Sequence, residues 1–379
     1  MKIRVVHLIT GLRRAGAETM LMKLVGALDR TRFETRIVTV IERGPLAPDL
    51  EAMGIPVVSL DMRSKLDPRP IARLIGILRR LRPDVIQTWL YHADFAGLIA
   101  ASVLRRTDHL LWNVRCSDMD FAAAKENGTA PLVRVLGLLS ARPSGVIVNS
   151  HAGRLHHERL GYRPRRWIEI PNGFELDRWH PDAAAAARLR AELLLPEDAL
   201  VVGLCARLSP MKDHGNFLSA IRVLRERVPA AHAILVGRGT ETLAAKVAEM
   251  GLSSHVTMLG ERSDLPRLLP GLDVSCLSSA FGEGFANVLG EAMASGVPCV
   301  ATDVGDAASI IGDTGRIVPP RRPEALAAAL ESLLVASAQC RHDLGRRARE
   351  RIERCYGLDG IAQRYADLYA DVGSGPPGA

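Results

Sequence analysis

The sequence predicts an α/β protein built from two doubly wound parallel sheets, and three observations carry that reading. Short β-branched runs alternate with stretches whose apolar residues recur at helical spacing, which is how parallel sheets with crossover helices read. The alternation pauses once, across residues 168–182, and then restarts. A chain of 379 residues also exceeds what one hydrophobic core usually organises, so two domains are expected.

In the first half the strands are expected at 3–9, 35–41, 56–60, 84–88, 110–114 and 145–149, with helical patterns between most of them. In the second half, 200–206, 231–236, 256–259, 273–277 and 298–301 are short apolar runs of the kind that lie buried on both faces of a parallel sheet. Between the halves, IEIPNGFELDRWHPD places Pro171, Asn172 and Gly173 in a turn, and Pro181 ends the segment before an Ala-rich helix. The hinge is expected there, with domains at 1–172 and 173–355. Residues 341–372 read as two charged helical stretches, of which 356–372 is expected to pack back toward the N-terminal domain. The tail GSGPPGA, 373–379, has the composition of a disordered segment. No repeat of solenoid period is present.

Composition narrows the function classes. The six cysteines, at 116, 205, 276, 299, 340 and 355, form no C-x-x-C pair, which argues against a zinc ribbon or disulfide framework and for a reducing, cytoplasmic setting. The start MKIRVVHLIT is cut by His7, Arg13 and Arg14 and reads as a first strand, not a secretory leader. The longest apolar run, 95–104, falls short of the roughly 18 residues a membrane helix needs. Charge is uneven: up to residue 180 there are 28 Lys and Arg against 18 Asp and Glu, a balance of +10, and beyond it 21 against 24, or −3. With 4% aromatic residues and no stacking motif among the basic ones, nucleic acid is not the expected partner. The segment PIARLIGILRRLRP, 70–83, is either an ordinary sheet-covering helix with a solvated arginine face or a basic helix that lies on anionic lipid. Set beside the +10 half, it makes peripheral association with the inner face of a membrane a reasonable expectation.

In doubly wound sheets ligands bind beyond the carboxyl ends of the strands, so the loops after strands are where chemistry is sought. GLRRAGAE, 11–18, follows the first strand and opens a helix; it is a plain strand-to-helix turn or a loop that offers amides to an anion. ARLSPMKDH, 206–214, places Arg207 and Lys212 five residues apart at the corresponding position of the second domain. They are two solvated charges, or a guanidinium and an ammonium that stabilise a departing diphosphate as its charge develops. FGEGFANVLGEAMASGVPCVATDVG, 281–305, sets Gly282 and Gly284 around Glu283 and puts Glu291 two turns into the following helix. Amides near Gly284, Phe285, Ala286 and Asn287 can donate to phosphate or sugar oxygens, and the two carboxylates can accept from vicinal hydroxyls. Glu291 sits in the small, apolar stretch LGEAMASG, where an unpaired carboxylate would be costly.

Taken in order, these segments resemble the retaining glycosyltransferases of family four, whose GT-B fold pairs two facing Rossmann-like domains across a cleft. GLRRAGAE is similar to that family's G-G-A-E loop, IPNGFELDRWHP to its interdomain segment, ILVGRG and VTMLGERSDLP to its donor-domain strands and turns, and EGFANVLGE to its E-x7-E motif. The resemblance implies that the N-terminal domain binds acceptor and the C-terminal domain binds a nucleotide sugar. It implies that Arg207 and Lys212 hold the diphosphate, Glu283 contacts the donor sugar, and Glu291 holds the ribose hydroxyls. Gly260, Glu261 and Arg262 would lie by the base, and Gly16 would approach the diphosphate from the other domain. Where many relatives carry a histidine this chain reads LLWNVRCSDMDF, so the acceptor-side candidates are Arg115 and Asp118, with Ser117 between them, and His92 from QTWLYHADFAG. His92 is equally well read as capping a helix. Ser309, in VGDAAS, stands where an acid is common.

The function so implied is transfer of a hexose or N-acetylhexosamine from a nucleoside diphosphate sugar, UDP favoured over GDP, with retention of configuration. The acceptor is a hydroxyl of a saccharide or lipid-linked saccharide in surface polysaccharide or lipopolysaccharide assembly, and no obligatory metal or other cofactor is expected. The alternatives are a non-hydrolysing nucleotide-sugar epimerase, which needs further acid and base groups, an idle scaffold subunit, and a NAD-dependent dehydrogenase. The dehydrogenase's G-x-G-x-x-G is closest to GRGTET at 237–242, which fails at the third glycine.

Overall fold

The computed structural model describes residues 2–62, 67–115 and 129–374. The chain divides into two compact units, Met1–Gly173 with Leu358–Ala379 and Phe174–Gly357.

The first unit is organised by seven parallel strands: β1 (Ile3–Gly11), β2 (Phe33–Glu42), β3 (Val57–Ser59), β4 (Val85–Trp89), β5 (Leu110–Val114), β6 (Gly145–Val148) and β7 (Trp167–Glu169). Their order is β3-β2-β1-β4-β5-β6-β7, so the direction of winding reverses between β1 and β4. Every residue of β4, β5 and β6 is buried, so these strands show no polar-apolar alternation, and β4 and β5 bury Gln87, Thr88 and Asn113 among their apolar residues. Apolar clusters cover both faces, one around Leu21, Leu24 and Trp89 and one around Leu74, Trp112 and Tyr162.

The helix Leu358–Gly373 belongs to this unit, packing Ile361, Tyr365 and Tyr369 into the first of those clusters. Polar groups buried in the sheet meet it there. Tyr369 OH donates to Gln87 Oε1, and Asn113 Nδ2 donates to Tyr365 OH at 3.2 Å. His7, fully buried, accepts from Trp89 Nε1 at 3.2 Å, and burial pushes its imidazole down to about 3.

The second unit has six parallel strands: β8 (Leu200–Cys205), β9 (Ala231–Val236), β10 (Val256–Gly260), β11 (Val274–Leu277), β12 (Cys299–Thr302) and β13 (Gly315–Val318). The order β10-β9-β8-β11-β12-β13 reverses between β8 and β11. Its two apolar clusters centre on Leu289 and Met293 and on Phe217 and Leu330.

Two strands, β7 and β13, are absent from the sequence expectation. Both are edge strands, three and four residues long, β7 half-buried throughout and β13 of mixed burial, so neither leaves an apolar run. The helix Arg69–Leu81 buries Pro70, Leu74, Ile77 and Leu78 in the first unit and leaves Arg73, Arg79 and Arg80 exposed. Its large apolar residues are therefore turned to the core fully or in part, and the charges it offers to the surroundings are arginines. Among the described residues no helix is long and apolar enough to cross a membrane, and five cysteines are free thiols. The expected tail falls partly on 375–379, outside the described residues.

Candidate active site

The winding reversal of the second unit brings two loops together at the carboxyl ends of β8 and β11, the position at which doubly wound sheets hold ligands. The loop after β8 carries Arg207 and then a single tight turn, Pro210–Lys212. Asp213, in the left-handed region at φ 45°, ends that turn and caps the helix His214–Arg227 by accepting from Asn216 N at 3.1 Å. The loop after β11 carries Ser278, Ser279 and Glu283.

Lys212 Nζ is ion-paired with Glu283 Oε1, and the two side chains are only 15% and 8% exposed. Ser279 Oγ donates to the same oxygen at 2.6 Å. Ser278 Oγ donates to the Lys212 carbonyl at 2.8 Å, and Thr302 Oγ1 to the Ser279 carbonyl at 2.6 Å. Arg207 is exposed, and its guanidinium has no partner among the described residues. Ser209 Oγ, in the same loop, is buried without a hydrogen-bond partner. One loop thus offers an uncommitted guanidinium, a buried hydroxyl and a carboxylate-held ammonium.

Two glycines make these approaches sterically allowed. A Cβ on Gly237, which follows β9, would stand 2.3 Å from the Ala206 carbonyl and 2.8 Å from the Arg207 amide nitrogen. A Cβ on Gly305 would stand 2.2 Å from the Glu283 carbonyl; this glycine has φ +64° and is followed by Asp306, whose amide donates to Gly284 O at 3.0 Å. The Val304–Gly305–Asp306 turn therefore buttresses the backbone that carries Glu283. In the same region the carbonyl of Ser309 accepts from Arg351 and Tyr356.

The helix after the acid loop is Asn287–Ala294, and Ala286 gives it no side-chain cap. Because it starts at Asn287, Glu291 lies one turn into it, which corrects the two turns read from the spacing. Glu291 is half-buried and close enough to Cys205, the last residue of β8, for its charge to add to burial in pushing that thiol up to about 12. Both acids of the E-x7-E pair thus approach the carboxyl end of β8. The Phe285 ring is not part of this surface: it is buried, stacked on Phe174 at 6.1 Å and edge-on to Tyr356 at 5.5 Å. From Phe285 and from buried Ala286 only backbone can reach a ligand.

Arg262 follows β10, but its guanidinium is held by Asp264 at 2.7 Å and Glu192 at 2.6 Å, with its pKa raised by those partners. Its charge is already balanced, so a contact to a base would come from the turn's backbone.

In the first unit the corresponding reversal, between β1 and β4, joins the loop leading to Gly16 with the turn leading to His92. Gly16 is exposed at the first position of the helix Gly16–Ala27, and Arg13 and Arg14 are paired with Glu42 at 2.9 Å and Asp49 at 3.4 Å. His92 is half-buried in the first turn of the helix Tyr91–Val103, which Leu90 enters at φ 72° and ψ 155°. Leucine rarely adopts that conformation, so the turn that aims His92 is strained.

Arg115 does not fit the acceptor role expected of it. Its guanidinium bonds Asn113 Oδ1 at 3.1 Å, Tyr365 OH at 3.1 Å and Asn172 Oδ1, and lies 4.5 Å over the Trp89 ring. It ties β4, β5, the segment at Asn172 and the C-terminal helix of the first unit into one buried network, and burial lowers its pKa. Ser117 and Asp118 lie outside the described residues.

The Glycosyltransferase Family 4 model matches residues 14–178 and the Glycosyl transferases group 1 model matches residues 199–335, so the two together take in most of the chain. Over 211 residues, 52% of this chain and 54% of the relative, it is 33% identical to the GDP-mannose-dependent alpha-(1-6)-phosphatidylinositol monomannoside mannosyltransferase of Mycobacterium tuberculosis. Over 315 residues, 80% of each protein, it is 23% identical to the UDP-Gal:alpha-D-GlcNAc-diphosphoundecaprenol alpha-1,3-galactosyltransferase of Escherichia coli. Anabaena Alr3699/HepE, solved with UDP, superposes with a TM-score of 0.84 at 24% identity, covering 98% of this chain and 100% of its own. The same protein with UDP-glucose gives 0.80 at 25% identity over 97% and 100%. The chain is a glycosyltransferase with the GT-B fold and belongs to family 4 of those enzymes.

Proposed function

We propose that the enzyme moves a hexose or N-acetylhexosamine from a nucleoside diphosphate sugar, UDP favoured over GDP, to a hydroxyl of a saccharide or lipid-linked saccharide, with retention. The observation that carries this reading is the meeting of Lys212 and Glu283, 71 residues apart, at the carboxyl ends of β8 and β11 beside Arg207. A diphosphate leaving group gains charge as its bond to the sugar C1 breaks, and cations fixed at that point favour the transition state over the ground state. Arg207 and Lys212 supply them, with Ser209 Oγ and the amides after Glu283 as neutral donors.

The acceptor oxygen bonds C1 from the face the diphosphate leaves, and its proton passes to a diphosphate oxygen. Glu283 and Glu291 accept from hydroxyls of the donor sugar and the ribose. Two side-chain cations and a set of backbone dipoles do the work that a magnesium ion would otherwise do, so the reaction requires no metal. The UDP-galactose donor of the E. coli relative and the UDP-glucose bound by the Anabaena protein support a uridine donor, whereas the mycobacterial relative is GDP-mannose-dependent. Both named relatives act on lipid-borne acceptors, which favours the same class here.

The +10 balance of the first 180 residues and exposed Arg73, Arg79 and Arg80 support peripheral association with anionic lipid as part of this reading. With Leu74, Ile77 and Leu78 turned into the core, that association is electrostatic and salt-sensitive. The test of the transferase reading is a panel of UDP- and GDP-sugars with saccharide and lipid-linked acceptors in the presence of EDTA, with proton NMR of the product. An α-linked product from one UDP-sugar supports it. A β-linked product removes retention, and turnover with GDP-sugars alone removes the uridine preference.

A further inference from the structure

Beside the Lys212–Glu283 pair, the two site loops are held by side chains that no motif of the sequence singles out. Ser278 and Ser279 follow β11 directly, are fully buried, and divide the work: Ser278 Oγ holds the backbone of Lys212 and Ser279 Oγ holds the side chain of Glu283. Thr302, the last residue of the neighbouring strand β12, is also fully buried and fixes Ser279 through its carbonyl.

The chemistry of Glu283 depends on which of its oxygens are spoken for. Oε1 accepts from both Lys212 Nζ and Ser279 Oγ. With Oε1 held by two donors, Oε2 is the oxygen left to accept from a ligand hydroxyl. A carboxylate held by Lys212 alone could rotate about its last torsion, because terminal sp³–sp² torsions are broad, and the ammonium could follow the diphosphate as charge develops. The Ser279 hydroxyl, on a rigid strand end, removes that freedom.

We propose that Ser279 is a positioning residue for transfer: it fixes the Glu283 carboxylate so that Oε1 serves Lys212 while Oε2 faces the donor sugar. The proposal rests on the transferase reading above and names the part of the site that reading leaves unassigned. Ser279 does not touch the reacting atoms. Its effect should appear in the step that depends on the orientation of Glu283 and not in the binding of the nucleotide, which Lys212 and Arg207 hold.

The test compares the full-length enzyme with Ser279→Ala, Glu283→Ala and the double variant, measuring kcat and KM for the donor and calorimetric affinity for UDP and GDP. Ser279→Ala should lower kcat about tenfold, the scale of one hydrogen bond to a charged group, with nucleoside diphosphate affinity within about twofold of the unsubstituted enzyme. Adding Ser279→Ala to Glu283→Ala should produce no further loss, because a residue that acts through another has nothing left to position. Thermal melts of each variant check that the fold persists, and Ser279→Thr, which keeps the hydroxyl, should retain more activity than Ser279→Ala. An unchanged kcat in Ser279→Ala, or losses that add in the double variant, overturn the proposal while leaving the transferase reading in place. Failure of the unsubstituted enzyme to bind any nucleoside diphosphate overturns both.

Discussion

Lys212 and Glu283 are ion-paired at the carboxyl edge of the second sheet, with side chains 15% and 8% exposed. So little exposure means that both charges are largely out of water, and each depends on the other and on the surrounding donors. Lys212→Met, which keeps the stem and removes the ammonium, should lower kcat at least about a hundredfold, the usual effect of deleting one group that meets developing charge. Single-turnover measurements with saturating donor give the chemical step directly.

Glycine has a stereochemical role at position 305 and none at position 76. At Gly305 an added Cβ meets the Glu283 carbonyl at 2.2 Å on a left-handed backbone, whereas at Gly76, in the helix Arg69–Leu81, it meets nothing within 4 Å. Gly305→Ala should cost about 1–3 kcal/mol of stability and disturb the acid loop, with most transfer activity lost. Gly76→Ala should stabilise by about 0.5–1 kcal/mol and leave activity unchanged. Urea unfolding and a standard turnover assay on the two variants check both halves of the contrast.

Arg115 is a structural bolt, and its loss should register as stability. Arg115→Ala removes the donor that Asn113 Oδ1, Asn172 Oδ1 and Tyr365 OH accept from in a buried setting. A cost of about 2–3 kcal/mol is expected, with nucleoside diphosphate affinity unchanged because those partners all lie in the first unit. Chemical denaturation of the variant, paired with a UDP titration, separates the two effects.

The buried histidines make the first unit acid-sensitive. Burial holds His7 down at about 3 and His157 at about 4, both below the usual value of about 6.5 in an unfolded chain. The unfolded state therefore binds more protons as pH falls below about 6.5, and each histidine removes about 1.4 kcal/mol of stability per pH unit until its folded value is reached. Asp94, raised by burial, works in the opposite sense. Replacing His7 with Gln, which keeps an acceptor for Trp89 Nε1, takes one proton out of that balance. The stability lost between pH 6.5 and 5 should shrink by about 2 kcal/mol relative to the unsubstituted protein, read from urea midpoints at the two pH values.

The sheets are legible because their central strands are buried on both faces, so β1, β4, β5, β8, β9 and β11 read as short, largely apolar and β-branched runs even where they carry His7, Gln87 or Asn113. The edge strands β7 and β13 could not, since Trp167–Glu169 and Gly315–Val318 mix polar and apolar residues on half-exposed faces. In the site, Lys212, Glu283 and Glu291 stand out as charges in apolar or glycine-rich surroundings, whereas Ser279 and Thr302 resemble any small polar residue at a strand end. Their importance lies in partners 4 and 23 residues away, which only the folded chain supplies. Arg115 shows the same limit: in the sequence a guanidinium beside an expected acceptor loop looks available, and only the folded chain brings Tyr365, 250 residues on, to hold it.

The proposal that the loops after β8 and β11 hold a nucleoside diphosphate without a metal ion makes a simple demand on binding. It is tested most directly by calorimetric titration of UDP, GDP and NAD, in EDTA, into the unsubstituted enzyme and into the Lys212→Ala and Glu291→Ala variants. UDP should bind, each substitution should weaken it at least about tenfold, and NAD should give no heat. Binding of NAD alone, or a UDP affinity that neither substitution moves, would contradict it.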